Sequence, residues 1–261
     1  MKTLFKLLCA SILLAAAGCS DENVEPLPLT EDVKTSATGY WDQFLSIDIT
    51  TNFEDYVTFH LNGTGGEITV DWGDGASETA YVGPYDVTFT HDYNTDEETL
   101  QDFAIRVSGD IKTIREFNFY YASLYVNEVY FGGLTNLKTL SMGVLGYGPR
   151  EINLSNNKLI ESVVLPGIQH LENLILPVSN KIRTLDISGY NELSTAVVDR
   201  VIARVYDSVV RSPRTGHVNL PASWSQDDDD RSMVGPPSPY SVNKLRKLKR
   251  KYGWTIFPEV K

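Results

Sequence analysis

The chain has 261 residues, of which 42% are hydrophobic and 22% are charged, and its formal net charge is −11. This composition excludes a disordered chain and predicts a buried core, with room for two modest domains. The acidic balance excludes nucleic acid as a partner, because phosphate backbones are bound by clusters of Lys and Arg. The two cysteines, Cys9 and Cys19, lie near the N-terminus. The body of the chain is therefore predicted to have no disulfide and no metal site with cysteine ligands. No cofactor and no metal ligand are predicted from its other residues.

The N-terminal segment has the features of an export signal. Lys2 and Lys6 precede an apolar stretch over residues 7–17. That stretch is about half as long as the roughly 20 residues that a membrane-spanning helix requires. We therefore predict a signal peptide over residues 1–18, whose removal changes the net charge to −13.

The residues before Cys19 resemble the lipobox of bacterial lipoproteins. They read Ala-Ala-Gly, whereas the family more often has Leu where this chain has Ala16. The resemblance implies cleavage before Cys19 and acylation of that cysteine, for example by palmitate, which attaches the chain to the membrane. Cleavage elsewhere by an ordinary signal peptidase stays open. Several acyl chains give stable attachment, since each buried methylene contributes about 0.8 kcal/mol.

Residues 19–39 are predicted to form an acidic tether between the lipid and the body. Acidic residues directly after the lipidated cysteine resemble the signal that exports lipoproteins of some Gram-negative gut anaerobes to the cell exterior. This implies an outer-membrane lipoprotein that faces outward. A solvated linker without export information explains the same residues, so display on the inner leaflet also stays open.

Residues 40–112 alternate between apolar and polar side chains, as half-buried strands do. Glycine-rich turns separate the runs and predict antiparallel hairpins. The apolar members are Leu45, Ile47 and Ile49; Val57, Phe59 and Leu61; Ile68, Val70 and Trp72; and Phe103, Ile105 and Val107.

A motif within this module resembles the polycystic kidney disease (PKD) domain, an immunoglobulin-like β-sandwich of surface proteins. Its residues are Asp71, Trp72, Gly73, Asp74 and Gly75, followed by His91 and Tyr93. The resemblance implies architectural roles, with the Trp ring in the core and the Asp capping the turn. We prefer this interpretation to calcium binding or catalysis by Asp71 and Asp74. Calcium requires six to eight oxygen ligands, and a D-x-D-x-D-G array is missing. A lone histidine such as His91 is more often a structural hydrogen-bonding group.

Over residues 113–193, apolar-x-apolar pairs recur at a regular interval, with a further apolar residue three positions before most pairs. The pairs are Phe117/Phe119, Val129/Phe131, Leu140/Met142, Ile152/Leu154, Val163/Leu165, Leu174/Leu176 and Leu185/Ile187. This pattern resembles short leucine-rich repeats, in which two such pairs make one coil of about 22 residues. Successive pairs are therefore predicted to alternate between the two sides of a flattened solenoid.

Tyrosines cluster in the first coils and are the candidate ligand-binding residues. They are Tyr120, Tyr121, Tyr125, Tyr130 and Tyr147. Such a cluster is suited to stacking on sugar rings or to anchoring a protein partner. The alternative is that these rings seal the junction between the two modules.

Residues 194–261 are predicted to form a largely helical cap on the solenoid, because the last coil would otherwise expose its apolar face. One helix is expected to begin after Ser194 and another near Ser241. The cations from Lys244 to Lys251 are interpreted as the solvated face of the second helix. The acidic run at residues 227–230 is interpreted as a solvated loop, with calcium binding as the alternative.

The fold class predicted is therefore mainly β: a PKD-like β-sandwich, a leucine-rich-repeat solenoid and an α-helical C-terminal cap. Tandem modules of this kind resemble a group of surface lipoproteins of gut anaerobes. This implies a monomeric, non-catalytic binding or adhesion protein for a protein or matrix ligand. The first alternative is an accessory glycan-binding lipoprotein of a polysaccharide-utilisation system. The second is a hydrolase, although the sequence lacks the G-x-S-x-G and H-E-x-x-H motifs.

Overall fold

The computed structural model describes residues 43–51, 55–93, 100–122, 125–143, 147–221 and 235–260. Residues Ser36–Lys261 form one compact unit. The predicted signal peptide, lipidated Cys19, the tether and the acidic run at residues 227–230 lie outside the described residues.

The fold is mainly β, as predicted. The strands are β1 (Leu45–Thr51), β2 (Asp55–Gly63), β3 (Glu67–Asp71), β4 (Ser77–Tyr81), β5 (Val87–Tyr93), β6 (Gln101–Gly109), β7 (Ile114–Ala122), β8 (Tyr125–Tyr130), β9 (Thr139–Met142), β10 (Glu151–Asn153), β11 (Ser162–Val164), β12 (Asn173–Ile175), β13 (Thr184–Asp186), β14 (His217–Asn219) and β15 (Thr255–Phe257). The helices are α1 (Thr195–Arg211) and α2 (Pro239–Tyr252), and a 3-10 turn covers Ile111–Thr113.

A five-stranded antiparallel sheet has the strand order β4-β3-β6-β1-β8. Its inward side chains alternate with outward ones, as in β1, where Leu45, Ile47 and Ile49 are fully buried. The sequence period of two predicts this arrangement, because successive side chains of a strand point to opposite faces. On the opposite side of the core, Phe59 of β2 lies 5.7 Å from Trp72, measured between ring centroids.

An eight-stranded sheet has the order β15-β14-β13-β11-β9-β7-β2-β5. Strand β7 pairs antiparallel with β2 on one side and parallel with β9 on the other. The sheet therefore crosses the predicted module boundary at residue 112 without interruption. Strand β8, predicted as the second half of the first coil, pairs antiparallel with β1 and completes the five-stranded sheet.

The strands from β9 to β13 form two parallel ladders, the first of which also includes β7. In the first ladder Glu116 pairs with Thr139, Thr139 with Ser162, and Ser162 with Thr184. In the second ladder β10 pairs in parallel with β12. Partners in these pairs are one predicted coil apart in the sequence, and successive strands from β9 to β13 alternate between the two ladders.

Buried asparagines hold the turns between the ladder strands. Asn157 is fully buried, and its Nδ2 donates to the carbonyl oxygens of Phe131 (3.0 Å) and Leu134 (2.8 Å), which belong to the preceding turn. Asn191 is similar, because its Nδ2 donates to the Ile187 carbonyl and its Oδ1 accepts from the Leu193 N–H. These side-chain bonds add to the backbone bonds of the turns, in which the Phe131 and Leu134 carbonyls also accept from the Leu134 and Leu137 N–H groups.

The C-terminal segment contains two helices and two strands. Ser194 caps α1 by accepting from the Val197 N–H, as predicted. Helix α1 lies next to β12 in the second ladder. Arg200 Nη2 of α1 donates to Asn173 Oδ1 of β12 at 2.6 Å. Strands β14 and β15 extend the eight-stranded sheet in parallel. Helix α1 thus begins where it was predicted. The first ladder continues after this helix, through β14 and β15.

The interpretation of every cation on α2 as solvated is wrong for Lys244. Only 8% of Lys244 is exposed, and its ammonium lies 4.7 Å from the ring centroid of Tyr206 and 5.0 Å from that of Tyr240. Asp207 of α1 accepts from it at 3.3 Å. Lys244 therefore joins the two helices, because two aromatic faces and a carboxylate offset the loss of hydration of its ammonium.

We predict that Asn157→Ala destabilises the protein by about 2 kcal/mol, because it removes two buried hydrogen bonds between turns and the packing of a buried side chain. The free energy of unfolding in urea measures this. Asn156→Ala is the matched control, since Asn156 is exposed. Equal effects of the two substitutions would contradict the structural role of Asn157.

Candidate functional site

The motif of residues 71–75, 91 and 93 surrounds a buried indole. Trp72 is 2% exposed, and its ring stacks on His91 with a centroid distance of 4.9 Å and an interplanar angle of 11°. His91 meets the ring of Tyr93 edge-on at 4.7 Å. Phe103 stacks on the other side of Tyr93 at 4.9 Å. The motif residues therefore form a continuous aromatic cluster.

The carboxylates of the motif hold its turn. Asp71 Oδ1 accepts from the Gly73 N–H, and Asp74 Oδ1 accepts from the Ala76 N–H, both at 2.9 Å. Gly73 and Gly75 have φ angles of 85° and 97°, which other residue types rarely adopt. The arrangement is that of two successive Asx turns.

His91 and Tyr93 fasten the turn to β5. His91 Nε2 lies 2.7 Å from Asp74 Oδ2, and the buried Tyr93 hydroxyl donates to the Trp72 carbonyl at 2.9 Å. Burial, together with the negative charges of Asp74 and Asp71, raises the pKa of the Tyr93 phenol. Tyr93 is therefore a neutral donor at physiological pH.

The pKa of Asp74 is lowered. Burial acts in the opposite direction, but hydrogen bonds from the Ala76 N–H and from His91, and the charge of His91, outweigh it. Burial raises the pKa of the nearby Glu78, and His91 partly offsets this effect. The carboxylates of the motif thus accept hydrogen bonds inside the motif: Asp71 from the backbone of the turn, and Asp74 from the backbone of the turn and from His91.

The structure divides the tyrosine cluster. Tyr125 and Tyr147 are in contact, with ring centroids 4.1 Å apart and a tilt of 47°. Tyr130, at the other end of β8, is half-buried and lies 6.4 Å from Phe44. The side chains of Tyr120 and Tyr121 lie outside the described part of the chain. One pair of the five predicted tyrosines is therefore brought together.

Two residues absent from the sequence prediction extend this pair. The His170 ring lies 6.1 Å from that of Tyr147, at an interplanar angle of 25°. His170 Nδ1 lies 2.9 Å from Glu192 Oε1. We name Tyr125, Tyr147, His170 and Glu192 the aromatic row. Its members follow one another in the sequence at intervals of one predicted coil. The spacing of the predicted repeats, continued from Tyr125 and Tyr147, therefore points to His170 and Glu192.

His170 also has an unusual backbone. Its φ angle is +65°, and it is the only residue other than glycine with a positive φ among the described ranges. Histidine tolerates this left-handed conformation better than most residues, but it still carries strain there. Backbone strain of this kind is concentrated at functional sites, so His170 is a second reason to regard the row as a candidate site.

The aromatic row is open to solvent. Tyr147 is 53% exposed, and the side chains of His170 and Glu192 are 43% and 30% exposed. A centroid separation of 6.1 Å exceeds that of fully overlapping rings, so His170 leaves part of the Tyr147 ring uncovered. The row offers an apolar ring surface beside a hydrogen-bonding imidazole and a carboxylate, which is a combination suited to binding.

No protein-family model, curated protein or solved structure matches the chain. Its function is therefore inferred from its own geometry. The residues described contain no group of three or more His, Cys, Asp or Glu side chains arranged to hold a metal ion. They also contain no helix long and apolar enough to cross a membrane.

We predict that Asp74→Asn lowers the free energy of unfolding by about 1 kcal/mol at pH 7, because it removes the charge beside His91 but leaves an oxygen for the Ala76 N–H. Since the pKa of Asp74 is lower in the folded protein, its carboxylate stabilises the fold above the ordinary Asp pKa. This stabilisation disappears as the pH falls through the lowered value.

Urea unfolding at pH 7 and below pH 4 measures both effects, with the exposed Asp92→Asn as the control. A difference between wild type and Asp74→Asn that stays constant in acid would contradict the role of the charge.

Proposed function

We propose that the chain is an exported, lipid-anchored surface protein that binds an extracellular ligand without catalysing a reaction. The observation that carries this proposal is the aromatic row, a set of partly or fully exposed side chains that follow one another at regular intervals along the chain and are in contact. The N-terminal signal, Cys19 and the acidic segment after it support the proposed address, which is the outer membrane with the protein facing the exterior.

We further propose that the chain combines a PKD-like module with leucine-rich repeats. The buried Trp72, the paired Asx turns and the bond from Tyr93 to the Trp72 carbonyl support the first assignment. The parallel pairing of strands one coil apart and the buried Asn157 support the second. In this proposal β7 belongs to both modules, and the C-terminal helices cover one end of the second ladder.

A protein or matrix component is the ligand we place first. Exposed tyrosines are common anchors of protein interfaces, because they bury a large rigid ring and keep a hydroxyl for hydrogen bonding. Tyr147 fits this role, since Tyr125 supports one part of its ring and the rest is open. A supported side chain loses little conformational entropy when it binds.

A glycan is the second candidate, and the pair His170–Glu192 favours it. A pyranose ring has an apolar face of C–H groups and a rim of hydroxyl groups. The Tyr147 ring suits the face, while the imidazole and the carboxylate suit the hydroxyls as donor and acceptor. The same row therefore serves either ligand class, and binding measurements decide between them.

We predict that Tyr147→Ala weakens ligand binding by at least about tenfold, the loss expected when an aromatic anchor is truncated. The measurement is a binding screen of a fragment of residues 36–261 against extracellular matrix proteins and glycans. Tyr85→Ala is the matched control, because Tyr85 is 82% exposed but distant in sequence from the row. Equal effects of Tyr147→Ala and Tyr85→Ala would contradict the proposal, as would turnover of a bound polysaccharide.

A second substitution separates binding from stability. His170→Gly suits the positive φ angle and removes a partly exposed hydrogen bond to Glu192 and the ring contact with Tyr147, so we expect the free energy of unfolding to change by less than about 1 kcal/mol. Ligand binding should nevertheless weaken, because the imidazole is lost. A variant that unfolds more easily and binds normally would show that His170 has a structural role alone.

Lipid attachment is tested at Cys19. We predict that Cys19→Ala abolishes labelling of the protein with a palmitate analogue and releases it from the membrane fraction, because the thiol that is acylated is lost. Cys9→Ala is the control, since Cys9 lies within the predicted signal peptide. Protease treatment of intact cells reports whether the protein faces the exterior.

A further inference from the structure

Helix α2 has an unusual charge distribution. Its 14 residues include six Lys or Arg and no Asp or Glu, in a chain whose formal net charge is −11. At about 100° per residue, four of these cations lie within an arc of about 140°. We name them the basic face: Arg246, Lys247, Arg250 and Lys251. Leu245 and Leu248 lie on the opposite side and are fully buried.

The other two cations of α2 have internal partners. Lys244 is buried against Asp207, and Lys249 pairs with Glu259. By contrast, Lys247 and Arg250 are exposed and have no carboxylate within ion-pair distance among the described residues. Like charges three and four residues apart repel one another along a helix. The basic face therefore opposes helix stability, apart from the favourable position of Arg250 and Lys251 in the last turn.

An exposed aromatic side chain lies on the strand that follows α2. Phe257 of β15 is 56% exposed. Its strand follows directly after α2, and the pair Lys249–Glu259 holds the two segments together. Cations together with a solvent-exposed aromatic ring are the composition of surfaces that bind membrane interfaces, where the ring enters the headgroup layer.

We infer that the basic face of α2 binds the anionic headgroups of the membrane that carries the lipid anchor. This inference rests on the lipid attachment proposed above, but not on the identity of the ligand. The remainder of the protein is acidic and is repelled by an anionic surface, so the basic face is the part that can approach it. Attachment by lipid keeps the local concentration of headgroups high, and a weak electrostatic contact is then sufficient.

The order of strands gives this contact a geometric consequence. Strand β15 lies at one end of the eight-stranded sheet, six strands away from β2. At about 4.8 Å per strand this separation is about 29 Å. Residues 20–42 can span up to about 80 Å when extended, so attachment at Cys19 and contact through α2 are compatible. Contact at both places would lay the ladders along the membrane.

The test uses a fragment of residues 36–261, which form one compact unit and contain every described residue. Sedimentation with vesicles that mix phosphatidylcholine and phosphatidylglycerol in a two-to-one ratio is compared with sedimentation with pure phosphatidylcholine. We expect binding only to the anionic vesicles, and loss of binding at high salt. The triple variant Lys247→Gln, Arg250→Gln and Lys251→Gln should bind about 100-fold more weakly.

The matched control removes the same charge from exposed lysines elsewhere, with Lys112→Gln, Lys158→Gln and Lys181→Gln. Equal weakening by both triple variants would overturn the inference, because net charge alone would then explain binding. Binding to soluble heparin without binding to vesicles would also overturn it, and would assign the face to an anionic polysaccharide. Tyr147→Ala should leave vesicle binding unchanged, so failure here is distinct from failure of the proposed ligand site.

Discussion

Strand β7 is hydrogen-bonded on both edges, antiparallel to β2 and parallel to β9, and the rest of the fold depends on this double pairing. The same strand joins the two cores. Phe117 of β7 lies 5.6 Å from Phe59 in the antiparallel part and 5.5 Å from Phe131 in the parallel part. An antiparallel region and a parallel region that share a strand and a core do not require a linker, so they form one compact unit.

The parallel register has a direct consequence for the surface. Because strands one coil apart are aligned side by side, residues at equivalent positions of successive turns form lines across the fold. Inside, these lines are the stacked Leu, Ile and Val side chains of the core. Outside, the same alignment brings together Arg150 with Glu172, and Tyr125 with Tyr147 and His170. The members of the candidate site are therefore spaced along the chain as the parallel strands are.

The sequence predicts those features that depend on local periodicity. Strands β1, β2, β3 and β6 have clear apolar alternation and are predicted, whereas β4 (Ser77–Tyr81) lacks it because it is an exposed edge strand. The partners of β7 and β8 could not be predicted, since the spacing of apolar pairs does not specify whether a strand pairs in parallel or antiparallel. Lys244 was misassigned for a related reason. Its burial depends on Tyr206 and Asp207, which belong to another helix.

The backbone conformation at residue 170 does not explain why a histidine occupies this position. Seven described glycines adopt positive φ angles, among them Gly167 and Gly189 in the same series of turns. Glycine is thus the residue that this chain otherwise places in that conformation, at no steric cost. His170 adopts it with a side chain, and what that side chain adds is contact with Tyr147 and with Glu192. The strained backbone at residue 170 therefore holds a partly exposed imidazole between an aromatic ring and a carboxylate.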